Sequence, residues 1–125
     1  MDSGFTAMLV DDDQDILELL TDILSEVSNL NIRVFSNVDA ACRHIADQGL
    51  PDVVISDFMM PGKNGDALLE YVRHQDEGLP FAFLTGAPDQ ARGLLGALPV
   101  DPDEIWSKPF RSAKLINWVE NRLAD

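Results

Sequence analysis

Asp11, Asp12 and Asp13 follow directly on the apolar run Ala7-Met8-Leu9-Val10, and Asp57 follows Val53-Val54-Ile55-Ser56. Thr85 ends a third apolar run, Phe81-Ala82-Phe83-Leu84, and Lys108 ends a fourth, Ile105-Trp106-Ser107. Carboxylates, a hydroxyl and an ammonium are the groups that phosphoryl transfer uses. A carboxylate such as Asp57 can act as nucleophile and carry an acyl phosphate. A metal, an ammonium and a hydroxyl donor neutralise charge on the transferred oxygens, tasks open to Lys108 and Thr85. Gly86, directly after Thr85, leaves room for a phosphate to approach. Adjacent carboxylates raise one another's pKa and destabilise a fold unless a cation intervenes. Mg²⁺ suits a site with few carboxylates, because it keeps waters and pairs them with a phosphate. A helix N-terminal acid cluster favoured by the dipole accounts for Asp13 and Asp15. It does not account for Asp57, whose one evident counter-ion is Lys108.

These groups meet only if the four runs are parallel neighbours in one sheet, where open α/β sheets bind ligands at the C-terminal strand ends. The rest of the chain supports that arrangement, since apolar runs alternate with helix-period segments as in repeated βα units. Ile16, Leu19, Leu20, Ile23 and Val27 mark a first helix face, with Asp12 or Asp13 as N-cap. Asn29-Leu30-Asn31 breaks that helix, and Ile32 to Phe35 reads as a short second strand. Val38, Ala41, Cys42 and Ile45 mark a second helix capped by Ser36 or Asn37. The third strand is buried on both faces by its Val-Val-Ile content. A loop over Met60-Pro61-Gly62-Lys63-Asn64-Gly65 leads to a third helix with Ala67, Leu68, Tyr71 and Val72 inward. A fourth helix over Gln90 to Leu98 is weak, because Gly93 and Gly96 each cost about 1 kcal/mol relative to alanine. The last helix starts near Ser112 and turns Leu115, Ile116, Val119 and Leu123 to the core, with Trp118 partly exposed between them.

The whole chain, residues 1–125, reads as one domain, and its hydrophobic content of 46% is that of a globular protein. No apolar stretch approaches the ~20 residues that span a bilayer, and the N-terminus lacks the pattern of a secretory signal. With 22 acidic against 9 basic side chains, a net charge of −13, the chain repels nucleic acid and anionic membrane, so no direct contact with either is expected. Cys42 is the one cysteine, read as a buried, inert thiol; its isolation fits a reducing cytoplasm. His44 and His74 read as ordinary surface residues.

LVDDDQD at 9–15, DFMMPGKNG at 57–65, TGA at 85–87 and KPF at 108–110 together closely resemble the receiver domain of two-component response regulators, over residues 6–124. The resemblance implies a flavodoxin-like (βα)5 fold, a doubly wound parallel sheet of strand order 2-1-3-4-5. It implies that Asp57 accepts a phosphoryl group from a phosphohistidine on a sensor histidine kinase or histidine phosphotransfer protein. Asp12 and Asp57 would ligate Mg²⁺, Asp11 would hold it through water, and the Met59 carbonyl would complete the protein ligands. Thr85 and Lys108 would grip the phosphoryl oxygens, and the Lys108–Pro109 bond would be cis. Phosphorylation would bias a surface of the fourth helix, fifth strand and fifth helix. Neither the kinase nor the output partner is named by any residue.

The chain departs from the family's usual residues at Asn64 and Ile105. Asn64 stands where aspartate is usual, and keeps the turn chemistry. Ile105 stands where a Tyr or Phe usually swings inward with the threonine, so the coupling of Thr85 to Ile105 lacks its long lever. Trp106 is adjacent, but neighbouring strand residues point to opposite faces. The resemblance implies that the side chains two positions past Asp57 and two past Thr85 set the hydrolysis rate; here they are Met59 and Ala87, which cannot align an attacking water, so slow self-dephosphorylation is expected. Haloacid-dehalogenase-type hydrolases would use Asp11, Asp13, Thr85 and Lys108. That reading lacks the further carboxylates after the lysine and a cap, and leaves Asp57 idle. A receiver acting only as a docking module is the other rival.

Overall fold

The computed structural model describes residues 4–123. Strands β1 (Phe5–Val10), β2 (Leu30–Phe35), β3 (Val53–Asp57), β4 (Phe81–Thr85) and β5 (Glu104–Ser107) alternate with helices α1 (Gln14–Leu24), α2 (Val38–Gln48), α3 (Gly65–Gln75), α4 (Pro88–Leu95) and α5 (Ser112–Leu123). The five strands are all parallel and lie in the order β2-β1-β3-β4-β5, the doubly wound, flavodoxin-like arrangement expected from the sequence.

Helices cover both faces, so β3 and β4 are buried at every residue, as their continuous apolar runs require. Alternate strand residues feed two cores. Ala7, Leu9, Ile55, Leu84 and Trp106 pack with α1 and α5; Met8, Val10, Val54, Phe81 and Phe83 pack with α2, α3 and α4. On the second side Phe83 meets both Phe58 and Phe81 edge-on, with ring centroids 5.2 and 5.0 Å apart.

Local chemistry sets the helix starts. The Asp13 carboxylate accepts from Asp15 N at 2.9 Å and caps α1, and the Asn37 side chain accepts from Ala40 N at 2.8 Å and caps α2. Asp13 and Asn37 are therefore the caps among the candidate pairs. Asn29, at φ 60°, makes the turn into β2, which starts two residues earlier than the sequence suggests. α1 ends at Leu24, so Val27 lies beyond it although still in the core. Its buried face is Leu17, Leu20, Ile23 and Leu24, while Leu19 is exposed. The apolar periodicity alone does not distinguish the two stripes, because leucines occupy both.

Four further expectations shift. α4 begins at Pro88, whose fixed φ suits the first helical position, and ends at Leu95. Trp118 is buried, with its ring edge-on to Trp106 at 5.2 Å, because the two indoles fill the space between β5 and α5. Cys42 is half-buried rather than buried; burial still pushes its thiol pKa up, so it stays unreactive. His44, also half-buried, packs on Phe35 with ring centroids 5.0 Å apart.

Gly65 and Gly93 separate two uses of glycine. A Cβ at Gly65 would lie 2.5 Å from the Asp57 carbonyl oxygen and 2.5 Å from Phe83 Cε1, whereas one at Gly93 meets nothing within 4 Å. Gly65→Ala is expected to lower the urea-unfolding free energy by about 2–3 kcal/mol through overpacking. Gly93→Ala, in the interior of α4, is expected to raise it by up to about 1 kcal/mol. Equal effects at the two positions would contradict this distinction.

Candidate functional site

Strand register brings the chemistry-bearing residues to one edge. Val10 pairs with Ser56, so Asp11 is level with Asp57; Asp57 pairs with Leu84, one residue before Thr85. Thr85 pairs with Ser107, one residue before Lys108. Lys108 N donates to the Thr85 carbonyl at 2.8 Å, so the β4 and β5 exits stay together. The Lys108–Pro109 bond is cis.

One ligand oxygen from each of Asp11, Asp12 and Asp57 lies within 4.8 Å of the others. Asp11 and Asp57 are buried, and Asp12 is exposed. The Lys108 ammonium spans two of them, donating to Asp11 Oδ2 at 2.9 Å and lying 3.5 Å from Asp57 Oδ2. The other Asp11 oxygen accepts from Asp13 N at 2.9 Å. The Asp13 carboxylate points instead to Asp15 N, so Asp13 is a helix cap, which removes a carboxylate that a dehalogenase-type site would need.

Asp57 is held by its surroundings. Ser56 Oγ donates to the Asp57 carbonyl at 2.8 Å, and Gly65 N donates to the Phe58 carbonyl at 2.7 Å. Asn64 Oδ1 accepts from Met60 N at 3.2 Å, so asparagine performs the loop anchoring that its position demands. Met59, in that loop directly beyond Phe58, is exposed. Thr85 is buried, its Oγ1 accepting from Ala87 N at 3.1 Å.

Burial disfavours ionised Asp57, and the neighbouring Asp11 charge adds to this; Lys108 and the Phe58 backbone N–H oppose them without cancelling, so its pKa rises from 3.8 to about 6. For Lys108, burial works against the ammonium, but the hydrogen bond and charge of Asp11, followed by Asp57, outweigh it and raise its pKa. Two unit charges 4.8 Å apart repel by on the order of 3 kcal/mol at an effective dielectric near 20. A single ammonium cannot offset three carboxylates so placed. The donor set is hard oxygen with excess negative charge, and it fits a small divalent cation.

Ile105 lies half-buried on the α4 side of β5, and Trp106 points to the α5 side. The two neighbours thus serve opposite cores, as strand alternation requires. The close approach of Gly65 to Asp57 is a site feature that sequence reasoning missed, since MPGKNG reads equally well as an ordinary turn.

The family model of the response regulator receiver domain matches residues 7–120. The DNA-binding response regulator MtrA of Mycolicibacterium smegmatis is 32% identical over 116 residues, covering 93% of this chain and 49% of that protein. The transcriptional regulatory protein GltR of Pseudomonas aeruginosa is 33% identical over 116 residues, covering 91% of this chain and 47% of that protein. The chain thus spans about half the length of these relatives. In fold, it is similar to the signal receiver domain of an HD domain-containing protein from Pseudomonas fluorescens, with a TM-score of 0.85 at 23% identity, over 99% of this chain and 90% of that one. With the family model matching most of the chain and these relatives at 32–33% identity, the chain belongs to the receiver domains of two-component response regulators.

Proposed function

We propose that residues 1–125 form a single receiver domain in which Asp57 accepts a phosphoryl group from the phosphohistidine of a sensor histidine kinase or histidine phosphotransfer protein. The observation that carries this reading is the acidic cluster of Asp11, Asp12 and Asp57 with Lys108 bridging two of its members. An Asp57 carboxylate oxygen attacks phosphorus, the N–P bond breaks, and the departing imidazole takes up a proton. Lys108 is within reach of Asp57 and engages the phosphoryl oxygens on transfer, exchanging contact with Asp57 for contact with the new charge. Thr85, one residue beyond the Asp57 partner Leu84, supplies a hydroxyl on the neighbouring strand. Asp11, Asp12, Asp57 and the Met59 carbonyl are the residues to hold Mg²⁺, which supplies charge neutralisation for the transferred oxygens when bound. The output is a change in the surface of α4, β5 and α5. Because Ile105 has no aromatic lever, movement at Thr85 and Lys108 reaches this surface through the β4–β5 backbone bond and the short, glycine-containing α4. The domain acts as a signalling acceptor and turns over no separate metabolite.

Beryllofluoride with Mg²⁺, which mimics the aspartyl phosphate, is expected to raise the melting temperature of the protein and leave Asp57→Asn unmoved. An equal shift in both, or none in either, would sink the acceptor role; no shift is what a docking-only receiver would give.

The raised Asp57 pKa fixes a pH dependence. Between the unfolded value near 3.8 and the folded value near 6 the native state binds more protons, so this group's contribution to stability falls as pH rises across that window. Asp57→Asn should therefore match the parent near pH 3.5 and exceed it by up to about 3 kcal/mol at pH 7 without Mg²⁺. Urea titrations of both proteins across this range check the prediction, and Mg²⁺ should narrow the gap at pH 7.

Met59 and Ala87 offer no polar group to orient water at the acyl phosphate. Protein labelled with acetyl phosphate and desalted is expected to keep its label for many minutes; loss within about a minute would contradict this assignment.

A further inference from the structure

Met59 and Met60 adjoin one another in the loop between β3 and α3 but differ sharply in exposure. Met60 is 7% exposed and packs in the core shared by α2, α3 and α4, and Met8 is 1% exposed, whereas Met59 is 40% exposed. Of the exposed large apolar side chains among the described residues, Leu19, Val34, Met59 and Leu94, Met59 alone carries a sulfur. Its backbone is fixed from both sides. The Phe58 carbonyl accepts from Gly65 N at 2.7 Å, and Met60 N donates to Asn64 Oδ1 at 3.2 Å. A chemical change at the Met59 side chain thus falls two residues from Asp57, on a side chain that belongs to neither core. Cys42 is half-buried, and burial pushes its thiol pKa up, so little thiolate competes for an oxidant. The net charge of −13 and the cluster of Asp11, Asp12 and Asp57 repel anionic oxidants but not an uncharged hydroperoxide.

We propose that Met59 is an oxidation site through which hydrogen peroxide, or another neutral hydroperoxide, shortens the life of the phosphorylated state. The Met59 sulfur attacks the peroxide and the O–O bond breaks. One oxygen stays on sulfur as the sulfoxide and the other leaves as water, so sulfur loses two electrons and the peroxide gains them. A thioether is a weak hydrogen-bond acceptor, whereas the sulfoxide is polar and accepts through oxygen. At this position the new acceptor orients a water for attack on phosphorus. The bond between phosphorus and the Asp57 oxygen then breaks, and the water's protons leave with phosphate or pass to solvent. The inference rests on the reading of Asp57 as acceptor and of apolar Met59 as one reason that water is poorly aligned there. Methionine sulfoxide is reducible, so the effect is reversed by a methionine sulfoxide reductase supplied with a thiol.

The test treats the folded protein with limiting hydrogen peroxide, removes the excess with catalase, labels with acetyl phosphate and Mg²⁺, and desalts. Peptide mass spectrometry is expected to find the sulfoxide at Met59 while Met8 and Met60 stay unmodified. The label should then be lost about tenfold faster than from untreated protein. Methionine sulfoxide reductase with dithiothreitol should restore the longer lifetime, and dithiothreitol alone should not. In Met59→Leu the lifetime should not respond to peroxide, and in Met60→Leu it should respond as in the parent. Met59→Gln, which places an amide oxygen there, should lose label faster than Met59→Leu without any peroxide. Melting curves establish that the three variants fold. Oxidation of Met8 or Met60 as fast as Met59, or a peroxide response retained in Met59→Leu, overturns the proposal. So does a Met59-oxidised protein that no longer takes label, or that holds it as long as untreated protein or longer. These results leave the acceptor standing wherever untreated protein takes label. Untreated protein that takes no label overturns the acceptor reading, and this inference with it.

Discussion

One ammonium between two carboxylates holds the functional edge of this domain together. Lys108 bonds to Asp11 and faces Asp57, and Asp12 stands close to both acids without a comparable counter-charge among the described residues. The fold therefore keeps an electrostatic debt at its C-terminal sheet edge, and packing elsewhere must hold the edge in place against it. The two cores do so, with β3 and β4 wholly buried beneath the cluster. Such a site suits a ligand that brings positive charge.

Position at that edge depends on backbone features as much as on the charged groups. Parallel register puts Asp11 level with Asp57 and places Thr85 and Lys108 at successive strand exits. Gly65 lets α3 begin so close to Asp57 that even a methyl group would collide with the Asp57 carbonyl. The loop between them is tied by Asn64 to Met60 N. Asp57 at its strand end thus acquires a close-packed surround, while α4 keeps only Ala91 and Leu95 buried.

Much of this was legible in the residues themselves. Strand identity followed from uninterrupted apolar runs, and the convergence of Asp11, Asp57, Thr85 and Lys108 followed from treating those runs as parallel neighbours. The motifs around them carried the family, and the family match bears that resemblance out. What was not legible has a common physical cause, since it depends on three-dimensional packing between segments distant in sequence. The buried face of α1 keeps Leu20 and Ile23 as expected but takes Leu17 and Leu24 where the periodicity favours Leu19, because leucines adjoin one another along this helix. Trp118 is drawn into the core by Trp106, twelve positions away in sequence and on another element. The groove beside β5 joins Arg92 of α4 to Arg111 and Lys114 near the start of α5, and no local composition signals it.

The account stands or falls on the chemistry of one carboxylate. The most direct measurement is to incubate the protein with acetyl phosphate and Mg²⁺, reduce it with borohydride, and map the product by peptide mass spectrometry. The account predicts that Asp57 alone is converted to homoserine, the reduction product of an aspartyl phosphate, and that no conversion occurs without the phosphodonor. Conversion at another residue, or unmodified Asp57 after full exposure to the phosphodonor, would contradict it.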